Sequence, residues 1–172
     1  MPSSLGLETS YRDKMVDGCQ TPPVRVVAAA GAGFLLAVLW FDLMFDVQVR
    51  RHQGGALPAE VRSSIATYYR RVTTTAGRMK QLVAAVMVAT LVALIAELVA
   101  SDVARWRAAV SLVLTGAAVT LAAVRTVRSA VRLGAQTDSA DVQASLVRAI
   151  YRDHVACFLA ISCTLVIQIL PT

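Results

Sequence analysis

Residues 82–100 read LVAAVMVATLVALIAELVA, a run with no charge before Glu97 and with neither proline nor glycine. About 20 consecutive apolar residues are what an α-helix needs to cross the hydrocarbon core of a bilayer. This stretch therefore predicts a membrane span, and three more surround it. Upstream, residues 26–49 carry no charge until Asp42, and Pro22 and Pro23 ahead of them suit a helix start. Downstream, residues 104–124 form a third span with Arg105, Trp106 and Arg107 at its entrance. The fourth, residues 152–170, is closed by Pro171. Its apolar part begins only at Val155, so it recruits the positions before it, with Arg152 reaching back to the interface along its aliphatic stem. The expected fold is all-α, a polytopic membrane four-helix bundle.

Composition supports the same class. Of 172 residues, 56% are hydrophobic and 16% charged, and mean hydropathy is +0.60. A soluble domain carries about 45–50% apolar and roughly 25% charged residues, so the excess here calls for a second apolar solvent. The length allows one domain, residues 24–172, behind an exposed tail, residues 1–23. That tail is polar and holds Glu8, Asp13 and Asp17, which argues against a cleavable signal or a transit peptide. The cysteines, Cys19, Cys157 and Cys163, form no CxxC pair, which excludes a dithiol redox motif.

The net charge of +6 is arginine-rich, and its distribution predicts an orientation. Seven basic residues (Arg50, Arg51, Arg62, Arg70, Arg71, Arg78 and Lys80) follow span one, and five (Arg125, Arg128, Arg132, Arg148 and Arg152) follow span three. Against these twelve stand Arg12, Lys14, Arg25, Arg105 and Arg107 on the other side. Positive charge is retained in the cytoplasm, so both termini are expected outside, N-out and C-out, in the inner or plasma membrane. The partners implied are the bilayer and its anionic headgroups; no folded module for nucleic acid is in view. Small residues such as Gly31, Gly33 and Ala37 on span one permit tight helix contact and suggest a homo-oligomer.

The basic segments read as helical extensions on the cytoplasmic side. Pro58 after Gly54-Gly55 starts an amphipathic helix over 58–72, whose apolar stripe is Ile65, Tyr68, Tyr69 and Val72. Thr73-Thr74-Thr75 and Gly77 weaken any continuation into span two. Span three runs on to Leu133 with Gly134 as its expected C-cap. Thr137, Asp138 and Ser139 offer an N-cap for a helix leading into span four.

Candidate chemistry centres on Trp40-Phe41-Asp42-Leu43-Met44-Phe45-Asp46. Asp42 and Asp46 share one helical face. A carboxylate inside the hydrocarbon costs ~2.5–3.5 kcal/mol on insertion scales and needs a partner, a proton or water. His154 enters span four at the same level, and the four residues Asp42, Asp46, His154 and Glu97 form the expected proton, ion or substrate site. The competing expectation is that arginines from spans three or four neutralise the aspartates as a scaffold. Arg125, Arg128 and Arg132 make one stripe and Arg148 and Arg152 another, an anion or headgroup site. No metal site and no cofactor are predicted, and no Walker loop, Gly-x-Ser-x-Gly or His-Glu-x2-His is present.

Asp42-x3-Asp46 resembles one fragment of the metal-diphosphate motifs of CDP-alcohol phosphotransferases and intramembrane prenyltransferases, where paired aspartates hold a divalent cation against phosphate. The match covers five residues. The second acidic cluster and the Asp-Gly-x2-Ala-Arg element are missing, so no membership follows. Three functions remain: a channel or transporter for protons or small ions, a membrane enzyme on a lipid-phosphate or quinone-like substrate, and a structural subunit of a membrane complex. The first is the leading expectation, resting on the buried acidic residues.

Overall fold

The computed structural model describes residues 23–52, 57–75, 77–100 and 105–171, so the tail of residues 1–22 falls outside the described part. Its elements are all helical. Helix α1 spans Pro23–Asp46 and passes into a 3₁₀ segment, Val47–His52. Pro23 supplies a first residue with no N–H to leave unpaired. Helix α2, Ala59–Thr74, starts just after Pro58, and α3 covers Gly77–Ala100. The boundary between them falls on the threonine run. Thr73 and Thr74 donate their hydroxyls to the carbonyls of Tyr69 and Arg70, offering the backbone an alternative to a continuing helix. Helix α4, Arg105–Leu121, runs through a π-turn, Ala122–Thr126, into α5, Val127–Ala135. Helix α6, Ala140–Ile169, returns along the whole bundle.

The expected C-cap at Gly134 is corrected. The helix continues to Ala135, and Gln136 takes the left-handed conformation at φ 55°. Gly134 serves a different purpose: a Cβ there would lie 3.1 Å from the backbone N and Cα of Arg70, so α2 crosses α5 almost backbone to backbone. That crossing fixes the glycine two residues earlier than the left-handed position needs it, and Gln136 bears the left-handed strain of ~1–2 kcal/mol.

Four stretches, Pro23–Arg50, Gly77–Ala100, Arg105–Ala135 and Ala140–Ile169, are long and apolar enough to cross a membrane. They pack as a ring in which α1 and α4 each contact α3 and α6. Their outer faces are apolar: Val99 is 77% exposed, Val113 70% and Phe41 63%. Apolar surface on that scale fits lipid or an apolar partner rather than water. Inside the ring, Ala32, Leu35, Ala118, Cys157 and Ile161 form one cluster, and Ala28, Ala93 and Leu94 another. A separate core at the arginine-rich end, including Ile65, Tyr69, Leu133, Val147 and Ile150, joins α2 to α5 and α6. This second core anchors α2 across the end of the bundle, where it delivers two tyrosines to the interior.

Candidate functional site

Asp42 and Asp46 lie one turn apart on α1, and the structure brings both to His154 on α6. Asp46 is wholly buried. Its Oδ2 lies 2.6 Å from His154 Nδ1, and the Tyr69 hydroxyl donates to both of its oxygens at 2.9 Å. A carboxylate at that distance assigns the imidazole proton to Nδ1 and leaves Nε2 as the acceptor. Nε2 lies 3.9 Å from Asp42 Oδ2. Asp42 in turn accepts a 2.6 Å bond from the Tyr68 hydroxyl, and Tyr68 stacks on Phe45 at 4.0 Å. The aspartates are therefore compensated by tyrosines and an imidazole, where arginines had been the rival expectation. Burial, with the nearby carboxylates adding to it, pushes both tyrosine phenols well above their ordinary range, so they act as donors.

The other candidate residues divide. Arg125 Nε pairs with the buried Asp153 at 3.3 Å, and Thr126 places its hydroxyl 3.5 Å from the same carboxylate. Arg132 grips Asp138 through two bonds of 2.8 and 3.1 Å, closing the α5–α6 turn. Arg128 and Arg152 are exposed, and Arg148 is half-buried. The five arginines thus do not converge on the aspartates. Glu97 lies at the opposite end of the bundle, buried, with Oε2 lacking a hydrogen-bond partner among the described residues. Nearby in level, Gln168 donates to Ser111 Oγ at 3.2 Å. Two arginines are buried at that end. Arg25 donates to the carbonyls of Gln168 (2.7 Å) and Leu170, and Arg107 to those of Leu170 (2.7 Å) and Ile167, which satisfies the last turn of α6.

Beside the Asp42–His154 pair is a cavity of about 540 Å³. Its polar lining, which includes Asp42, Tyr68, Tyr69, Lys80, Thr126 and His154, lies at one end. The rest of the wall is apolar and reaches Leu35, Met87, Ala118 and Ile161. His154 to Ile161 is two turns, so the apolar part extends ~10 Å along the bundle. Asp46 is not part of the wall: it stands behind His154 and orients it. The π-turn contributes Ala122, Ala123 and Thr126 to the wall. Such turns bulge a helix and recur at functional sites.

Sequence reasoning missed Tyr68 and Tyr69 as partners of the aspartates and placed them only in the apolar stripe of the amphipathic helix. Their adjacency on an amphipathic helix was the available signal. Among the described residues no group of three or more His, Cys, Asp and Glu is placed to hold a metal ion. Comparison with known proteins found no match to a family model, a curated protein or a solved structure.

Proposed function

We propose that this chain is a multi-pass membrane protein that takes a lipid-soluble amphiphile into the cavity and exchanges a proton with its polar head at His154. The observation that carries this reading is the imidazole held by the fully buried Asp46 through Nδ1, with Nε2 on the side of the apolar cavity. A buried carboxylate behind an imidazole fixes its tautomer and stabilises its cation, the arrangement a general base needs. A volume of about 540 Å³ lies within the ~300–1,000 Å³ of small-molecule sites. The charge of the floor selects the head. Asp42 and Asp46 oppose a single imidazole, with Lys80 at the margin, so a phosphate head would meet carboxylates. A neutral, phenol- or quinol-like head, whose hydroxyl carries the proton that His154 accepts, is favoured over a lipid phosphate, and the matching quinone serves only as its quenching probe.

Trp40 follows Leu39 in sequence and precedes Phe41, both wall residues, and only Trp106 shares its fluorescence. With Trp106→Phe in nanodiscs, decyl-ubiquinone should quench Trp40 saturably, and His154→Ala or Asp42→Asn should weaken that binding about tenfold, a loss of ~1.4 kcal/mol. Linear, unsaturable quenching that is indifferent to both substitutions refutes the proposal.

A proton or ion route is the second reading, favoured by Glu97, buried at the far end, whose Oε2 has no hydrogen-bond partner among the described residues. Thr115 and Thr164, 3.2 Å apart, lie part of the way. The apolar layer of Leu35, Ala118 and Ile161 interrupts it, since His154 and Thr164 are ~15 Å apart along α6. Proteoliposome proton flux that disappears in Asp42→Asn would restore this reading to first place. In either case we place the arginine-rich end in the cytoplasm, against anionic headgroups.

A further inference from the structure

We infer that the cavity is filled sideways from the bilayer, through an opening between α3 and the α4–α5 rod rimmed by Ala84 and Ala123 and, below them, Met79 and Val127. The inference rests on the amphiphile reading above and adds the ligand's route to it. Wall residues on α6 are closed off: His154, Cys157 and Ile161 are all buried. The wall residues on α2 are buried or half-buried. Those on α3 and the α4–α5 rod differ. Met79, Ala84, Ala123 and Val127 line the cavity and are also exposed on the outer surface. Phe41 of α1 is likewise wall and surface, but it is the one exposed wall residue of that helix; exposed wall residues that face one another from two neighbouring helices mark a mouth.

Register places these residues opposite one another. Toward the far end, Leu112 of α4 packs against the cluster holding Leu94 of α3. The helices are antiparallel, so ten residues back along α3 and ten forward along α4 bring Ala84 level with Ala122 and Ala123. Four or five residues further, Met79 and Lys80 come level with Thr126 and Val127. At the upper level both sides are alanine, too short to bridge the gap. The π-turn adds room there by widening the rod at Ala122–Thr126. The mouth faces hydrocarbon at its alanine level. At the lower level Lys80, whose Nζ donates to the Thr73 carbonyl at 2.7 Å, marks the polar margin. A molecule with an apolar body and a neutral head can therefore slide in without dehydrating a charge.

The test compares rates. In nanodiscs, with Trp106→Phe as parent, stopped-flow quenching of Trp40 by decyl-ubiquinone gives association and dissociation rates. Filling the mouth with Ala84→Phe/Ala123→Phe should slow both about tenfold, dissociation as well as association, because a barrier on the path is crossed in both directions. The enlarged variant Met79→Ala/Val127→Ala should speed both. Val113→Phe, on the lipid face away from the cavity, should do neither. Parental rates in both mouth variants, or slower association with unchanged dissociation, overturn the route. If the parent shows no saturable quenching, the amphiphile reading itself fails and the route with it. The enlarged variant keeps the inference testable should the phenylalanine pair fail to fold.

Discussion

At the scale of single residues, burial separates two aspartates that look equivalent in sequence. Asp46 is wholly enclosed, and removing it leaves the imidazole of His154 and the hydroxyl of Tyr69 without their acceptor. Asp42 is partly exposed to the cavity, where its side chain is 18% accessible. Asp46→Ala should cost about 3–5 kcal/mol, the range for breaking a buried charged pair. Asp42→Ala should cost about 1–3 kcal/mol, the range for one charge-assisted hydrogen bond. Thermal unfolding in detergent orders the two; equal losses would mean that Asp46 does not organise the site. The tyrosines give a signed pH effect. Burial and the adjacent carboxylates keep the phenols of Tyr68 and Tyr69 protonated above the ordinary value of ~10. Once pH exceeds that value the unfolded chain releases protons that the folded chain retains, so stability falls. Between pH 9 and 11 the wild type should therefore lose stability more steeply than Tyr68→Phe/Tyr69→Phe, and parallel slopes would contradict this. The shared face of Asp42 and Asp46 and the level of His154 were legible in the sequence, and the tyrosine pairings were not. Tyr68 and Tyr69 reach the aspartates only because α2 folds back across the end of the bundle, a long-range consequence of its own small core.

Helices and turns were legible where local chemistry decides them. Four apolar runs of spanning length can be read from hydropathy alone, because lipid imposes a length and a composition together. The interruption between Thr74 and Gly77 follows from β-branched residues beside glycine. The cap at Gly134 did not follow, since the crossing of α2 governs that glycine. The same distinction separates two glycines on α1 that sequence treats alike. A Cβ on Gly31 would collide with Thr90 Oγ1, whereas one on Gly33 meets nothing within 4 Å among the described residues. Gly31→Ala should then cost about 1–3 kcal/mol through overpacking of α1 against α3. Gly33→Ala should be neutral or slightly stabilising, since alanine gains ~1 kcal/mol over glycine in a helix. Thr90→Ala should relieve the first substitution and leave the second alone. Melting temperatures of the singles and doubles provide the test, and equal effects at both glycines would remove the α1–α3 close approach from the account.

For the whole molecule, charge distribution and packing supply separate arguments. The arginine-rich end holds twelve of the seventeen basic residues, counted along the full sequence, and it is also where the cavity has its polar lining. Among the other five in the sequence, Arg25 and Arg107 are buried and donate to the last carbonyls of α6, so they are fixed by the fold whatever the direction of insertion. That leaves the opposite surface with still fewer basic groups to resist translocation, and retention of Lys and Arg in the cytoplasm sets the direction. Orientation is then predicted with the α5–α6 turn and α2 inside and residue 101 outside. With the native cysteines replaced, a membrane-impermeant maleimide on intact cells should label Ser101→Cys. It should reach Ser63→Cys on α2 and Thr137→Cys in the turn only after lysis. Labelling of 63 and 137 in intact cells, with 101 protected, would invert the molecule. It would also turn the Asp42–His154 pair toward the outside, so that protons exchanged at His154 would come from the opposite compartment.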